Sequence, residues 1–148
     1  MTYPLGTEPA TALRGARLRV TAPRVATLHE LAALAHTDVD GLTTAVRARL
    51  GGVSTQAIYD VLRVLTDAGL VRRIEPAGSP ALFEIDSGDN HHHLVCRGCG
   101  TLLDVPCAVG ERSCLEPATD HGFVIDEAEV VFWGYCPACQ QISPPTSN

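Results

Sequence analysis

The sequence predicts an α+β fold in two parts, and three observations lead to it. Residues 1–85 show three short helical periodicities followed by two strand-like runs. Residues 86–148 mix strand-like alternation with paired cysteines. The charge also changes character at the join. Residues 1–85 carry nine arginines against eight acidic residues, whereas residues 86–148 carry two against nine, so the net charge of −6 hides an asymmetry. A length of 148 residues fits one domain or two of roughly 70 residues each. The expected division is 1–85 and 86–148. Every basic residue is arginine.

No apolar run approaches the roughly 20 residues of a membrane span. The opening MTYPLGTEPATALRG lacks the basic-then-apolar pattern of a secretory signal. A cytoplasmic location is therefore expected, where Cys-x-x-Cys pairs serve metal or redox chemistry more often than structural disulfides.

Each element has a local reason. Thr21 precedes Ala22-Pro23, and proline near the first turn of a helix loses no hydrogen bond. Val25, Leu28, Leu31, Ala32 and Ala35 follow at helical spacing. A second helix is expected over about Asp40–Leu50, with Leu42, Val46 and Leu50 on one face, ending at Gly51-Gly52. A third begins at a Ser54 or Thr55 cap and runs to about Ala68, with Gly69 as its stop. Ile58, Leu62 and Leu65 form its apolar face, opposite Gln56, Tyr59, Asp60 and Arg63. LVRRIE, a PAGSP turn and ALFEI then read as a hairpin. Three helices and a two-stranded ribbon make a winged helix-turn-helix, whose third helix would enter a DNA major groove. Arg14, Arg17, Arg19 and Arg24, in a stretch free of acidic residues, add a local basic patch.

Beyond the polar join at Asp86–Asp89, His93–Cys96 and Leu102–Val105 read as strands around a knuckle at Arg97–Thr101. A helix over about Val109–His121 is expected, then a long strand over Phe123–Tyr135. The final QQISPPTSN reads as a frayed tail.

The strongest chemical signal is Cys96-x-x-Cys99 with Cys136-x-x-Cys139. Four thiolates close a tetrahedral shell suited to Zn²⁺, which would staple the end of the last strand to the start of this half. The competing reading is a reactive dithiol. Cys107 and Cys114, on the expected helix, would share a face about 10 Å apart, too far for a disulfide, and read as small buried apolar residues. In NHHHLVC, His91 and His93 share one face of a strand while His92 points away. Imidazoles with carboxylates select harder or borderline ions than thiolates do, so the histidines point to a separate site.

At this point a resemblance becomes specific. GARLRVTAPR, VSTQAIYDVLRVLTDAGLVRR, HHHLVCRGCG, HGFVI and GYCPAC together resemble the ferric uptake regulator family of metal-dependent repressors, from about Leu13 to Cys139. The resemblance implies a homodimer with an N-terminal winged helix and a C-terminal dimerisation domain. It places structural zinc on Cys96, Cys99, Cys136 and Cys139. It places a regulatory ion, Fe²⁺ or Mn²⁺ with Zn²⁺ as a further candidate, on His36, Glu84, His91, His93 and Asp104, where it would fix the angle between the halves. A further metal site of many members would fall on Asn90, His92, Glu111 and Ala128, but the first is an amide and the last has no ligand atom. His121 belongs to the HGF motif.

By the same resemblance DNA contacts fall on Arg19, Ser54, Gln56, Tyr59 and Arg63, with partly exposed packing as the other reading of Tyr59. The family usually has Thr-Val-Tyr-Arg where this chain has Ala57-Ile58-Tyr59-Asp60. That variant and the Cys107…Cys114 spacing resemble an actinobacterial branch of catalase-peroxidase regulators. Asp104 stands where iron-uptake repressors commonly have glutamate and the peroxide-responsive branch has aspartate. The expected function is a repressor of operator DNA that responds to peroxide or iron status. The alternatives are a plain iron- or zinc-homeostasis repressor and, remotely, a zinc-ribbon interaction module. No enzymatic activity is expected: Cys136-Pro137-Ala138-Cys139 lacks the His-x-Glu of zinc deaminases, His29-Glu30 lacks the second histidine of His-Glu-x-x-His, and no βαβ pattern surrounds either cysteine pair.

Overall fold

Caps and apolar spacing explain where the helices begin and what they bury. In the computed structural model, which describes residues 6–108, 115–125 and 128–142, the chain divides into two compact units between Asp89 and Asn90. The first unit opens with α1 (Pro9–Gly15) and α2 (Ala22–Leu34), each with proline in its first turn. In α3 (Val39–Leu50) the Asp38 carboxylate accepts the Gly41 N–H at 2.8 Å. In α4 (Thr55–Asp67) the Ser54 hydroxyl accepts the Ala57 N–H at 3.0 Å. Such caps each stabilise a helix by about 1 kcal/mol. The antiparallel hairpin β1 (Val71–Ile74) and β2 (Leu82–Ile85) closes the unit.

The core of this unit is one apolar cluster. Leu28 and Leu31 of α2, Leu42 and Val46 of α3, and Ile58, Leu62 and Leu65 of α4 are buried together with Val71 and Phe83 of the hairpin. Each fully buried leucine contributes roughly 1.5–3 kcal/mol of apolar transfer energy. Helix α1 is an element that helical periodicity did not reveal. Its seven residues offer only Ala12 and Leu13 to the core, too few positions to display a period.

The second unit is a three-stranded sheet of order β4-β3-β5. Strand β3 (His91–Cys96) pairs antiparallel with β4 (Leu102–Pro106) and parallel with β5 (Val131–Gly134), and α5 (Pro137–Ile142) follows. Here several local expectations give way. Of the helix expected over Val109–His121, residues 109–114 lie outside the described residues, and 115–121 form bends and a turn. Pro117 interrupts helical hydrogen bonding there, and Gly122 follows at φ +83°. Of the long strand expected over Phe123–Tyr135, residues 126–127 lie outside the described residues, and the part that pairs with β3 is Val131–Gly134. Cys107 follows β4 outside any helix, and Cys114, with which it was expected to share a helix face, lies outside the described residues. Of the tail expected from Gln140 onward, Gln140–Ile142 complete α5, and residues 143–148 lie outside the described residues.

Candidate metal centres and nucleic-acid face

The four-cysteine cluster is assembled by a tight knuckle and one parallel strand pairing. After β3 the chain turns back so that the Gly100 N–H donates to the Cys96 carbonyl and the Cys96 N–H to the Thr101 carbonyl, both at 2.9 Å. Gly100 takes φ +75°, a conformation with little steric cost for glycine. The Arg97 N–H donates to the Gly134 carbonyl at 2.7 Å, and the Arg97 guanidinium lies 5.1 Å from the centre of the Trp133 ring. These contacts hold the end of β5 against the knuckle and deliver Cys136, two residues on, to Cys96. Cys139 follows one turn into α5.

The four sulfurs lie within 4.8 Å of one another, and the Cys99 and Cys136 sulfurs are 3.7 Å apart. That is the edge, about 3.8 Å, of a tetrahedron whose sulfurs sit about 2.3 Å from a central Zn²⁺. A disulfide would need a separation near 2 Å. The spacing fits the metal reading.

Electrostatics agree. The Cys136 N–H donates to the Cys96 sulfur at 3.2 Å. That bond, with further N–H donors at Cys99 and Gly98, brings the Cys96 pKa down to about 6 against the opposing effect of burial. The Cys99 thiol is also lowered, chiefly by the Thr101 hydroxyl 3.0 Å away. Cys139 is pushed up to about 12, first by Cys136 and then by Cys96. Charge gathered on neighbouring sulfurs opposes the last ionisation, and a bound dication removes that opposition. Thr101 is a participant that sequence reasoning missed; a hydroxyl two residues past the second cysteine was the available signal.

The imidazole and carboxylate residues form one group in each unit. In the first, an isolated antiparallel bridge joins Thr37 to Phe83 through both N–H groups, at 3.2 and 2.8 Å. It sets His36 beside Glu84, with 2.7 Å between Nε2 and Oε2. Arg72, the cross-strand partner of Glu84, reaches its other oxygen at 3.7 Å. In the second unit, Asp104 stands opposite His93 in the β3–β4 register. Its Oδ1 lies 3.6 Å from His93 Nε2 and 3.7 Å from His91 Nε2. His92 points to the other face, where its ring meets Phe132 edge-on at 6.2 Å.

Helix α4 separates its faces as the periodicity requires. Ile58, Leu62 and Leu65 are buried, while Gln56, Tyr59, Asp60 and Arg63 are exposed. Tyr59 is 52% exposed, a half-open position compatible both with a DNA contact and with partly exposed packing. Ser54 is exposed even though its hydroxyl caps the helix. Arg19 is exposed in the turn before α2, where its carbonyl accepts a bond from Arg24 at 2.8 Å. The described helices include none long and apolar enough to cross a membrane.

Comparison with known proteins agrees with this architecture. The family described as "Ferric uptake regulator family" matches residues 15–133. The "Transcriptional regulator FurA" of Mycobacterium tuberculosis is 56% identical over 130 residues, covering 88% of each chain. The "Ferric uptake regulation protein 1" of Mycolicibacterium fortuitum is 54% identical over 121 residues, covering 82% of this chain and 75% of that one. Among solved structures, the Pseudomonas aeruginosa ferric uptake regulator with manganese superposes with a TM-score of 0.71 at 27% identity, covering 88% of this chain and 99% of that one. The Vibrio cholerae ferric uptake regulator gives 0.68 at 28% identity, covering 85% and 98%. A winged helix of this form, followed by a small sheet domain with a four-cysteine cluster and matched by these relatives over most of its length, places the chain in the ferric uptake regulator family of transcriptional regulators.

Proposed function

We propose that this protein is a metal-dependent repressor that binds operator DNA as a homodimer and responds to peroxide, controlling a catalase-peroxidase gene. Residues 1–85 would bind DNA through Arg19, Ser54, Gln56, Tyr59 and Arg63, and residues 86–148 would dimerise and hold metal. Cys96, Cys99, Cys136 and Cys139 would hold structural Zn²⁺. His36, Glu84, His91, His93 and Asp104 would hold one regulatory ion. One ion ligated from both units would give a direct route from metal occupancy to DNA affinity, because it favours whichever arrangement of the units completes its shell.

The observation that carries this reading is the sorting of donors. Every sulfur of the cluster is kept apart from the imidazole and carboxylate groups, which suit Fe²⁺ or Mn²⁺ and admit Zn²⁺. Homodimerisation is supported by an apolar row across the second unit's sheet. Leu103, Leu94 and Phe132 pair in register on one face and are 55%, 36% and 49% exposed.

The short carboxylate of Asp104 favours the peroxide reading. Ferrous iron supplies the one-electron chemistry that turns peroxide into an oxidant of a nearby ring. His36 and His91 are the rings proposed to be modified, and each would then cease to be a good donor. The names of relatives as ferric uptake regulation proteins favour the second reading, a plain iron-homeostasis repressor.

The test is a gel shift on an AT-rich palindromic duplex with Fe²⁺- and Mn²⁺-loaded protein, made anaerobically and exposed to low peroxide. Lost binding and a histidine heavier by about 16 Da, the mass of one oxygen, in the Fe²⁺ form alone support the peroxide reading. An Fe²⁺ form that stays bound and unmodified leaves the iron-homeostasis reading. Binding that needs no metal overturns both.

A further inference from the structure

Asp60 lies on the exposed face of α4, in line with Gln56 and Arg63. A carboxylate there opposes the phosphate attraction that the neighbouring arginines supply. Its surroundings give it another use. Its side-chain partner among the described residues is the Gln56 amide, which donates Nε2–H to Asp60 Oδ1 at 3.3 Å. Arg63, three residues on, could pair with it at helical spacing. No ion pair forms between them or from either to another described residue. Two charges one turn apart are both left facing outward, into an open cleft that α4 shares with Arg73 and Pro80 of the hairpin.

The Gln56–Asp60 bond occupies one of the two amide donors and steadies the Asp60 carboxylate, whose second oxygen remains an acceptor. In the major groove the complementary groups are the exocyclic amines, cytosine N4 and adenine N6. Guanine offers O6 and N7 there and thymine O4, all acceptors that a carboxylate would repel.

We propose that Asp60, oriented by Gln56, is a specificity-determining residue that reads an exocyclic base amine in the major groove, and that it suppresses binding to duplexes lacking that amine. The inference rests on the DNA-binding reading above and on α4 as the groove-entering helix. Repulsion weakens binding everywhere, while the amine contact restores it at one position of each half-site. Discrimination of this kind needs both an attractive and a repulsive element.

The test begins by selecting tight binders from a random-sequence duplex library with the metal-loaded full chain. At each preferred position of the recovered duplex, cytosine is replaced by 2-pyrimidinone or adenine by purine, which removes only the amine. One such replacement should weaken the wild-type protein roughly 5- to 150-fold, the span of a good base-edge contact. The base concerned identifies which amine is read. Asp60→Ala should be indifferent to that replacement and should bind unrelated duplexes more tightly. Asp60→Asn should prefer adenine at that position, whose N6 and N7 an amide contacts together, whichever amine the wild type reads. If Asp60→Ala keeps the wild-type preference at every position and only binds more tightly, Asp60 is an electrostatic brake and the proposal fails. A wild-type protein that binds no duplex with any metal overturns the DNA-binding reading along with it.

Discussion

His36 Nε2 stands 2.7 Å from Glu84 Oε2 because the residues beside them, Thr37 and Phe83, are joined by two backbone hydrogen bonds. The pair therefore belongs to the architecture of the winged-helix unit, tying the turn after α2 to β2. Arg72 on the neighbouring strand reaches the other Glu84 oxygen at 3.7 Å and helps orient the carboxylate. His36→Ala should leave the unit folded, with Glu84 still beside Arg72. It should lower the metal's enhancement of DNA affinity by roughly 5- to 150-fold, the usual range of a coupling between two sites. Titrating metal at fixed DNA concentration measures it; an unchanged metal requirement would remove His36 from the regulatory set.

Cys136→Ser should remove zinc and destabilise the second unit, because unfolded thiols cannot form the shell. The melting temperature should fall by at least about 5 °C, since about 1 kcal/mol moves a domain of this size by roughly 4–8 °C. Proton release provides an independent check. With its pKa lowered to about 6, Cys96 is already ionised at pH 7.5, whereas Cys139, raised to about 12, still carries its proton. Zinc binding at pH 7.5 must displace the Cys139 proton, so affinity should rise with pH. On acidification Cys139, the sulfur with the raised pKa, takes its proton back before Cys96. Titration of zinc into metal-free, reduced protein in weak buffer, followed by a pH indicator, measures the release.

Gly98→Ala tests the packing of the knuckle. A Cβ at this position would come within 2.8 Å of the Cys139 sulfur and 3.0 Å of its Cβ. Relieving that overlap means moving the Cys139 thiol, at a cost of about 1–3 kcal/mol. Weaker zinc retention in a chelator competition is expected, and wild-type retention would show that the cluster tolerates displacement of α5.

The two faces of α4 should separate stability from binding. Leu62→Ala should cost roughly 2–5 kcal/mol of unfolding free energy. Tyr59→Ala, on the exposed face, should stay within about 0.5 kcal/mol of wild type while weakening DNA binding. Denaturant melts and gel shifts on the same two proteins decide it. A Tyr59→Ala protein that binds DNA normally would mean that another face enters the groove.

Leu94 occupies the middle of the apolar row, opposite Leu103 on one side and Phe132 on the other. Leu94→Glu should shift sedimentation toward monomer, because a buried unpaired carboxylate costs several kcal/mol at an interface. The contact of His93 with Asp104 should not change, since the substitution lies on the opposite face of β3. A dimer of wild-type strength would place the interface elsewhere.

The sequence alone determined the elements whose information is local. Ser54 and the spacing of Ile58, Leu62 and Leu65 define α4, and two Cys-x-x-Cys motifs supply the four thiols of the sulfur cluster. Periods, caps and short motifs are properties of neighbouring residues, so they are legible before folding. Tertiary structure decided what depends on a distant partner. The alternation of Phe123–Tyr135 was a strand in pattern, but β3 supplies pairing only for Val131–Gly134. The helix expected over Val109–His121 gives way at Pro117 in its described part, residues 115–121. Helix α1 exists because Leu13 has a core to enter, and nothing in its seven residues announces that core. His36 and Glu84 are 48 positions apart in the chain. Only a backbone bridge between Thr37 and Phe83 makes them neighbours, since hydrogen bonds between distant segments leave no periodic trace in the residues they join.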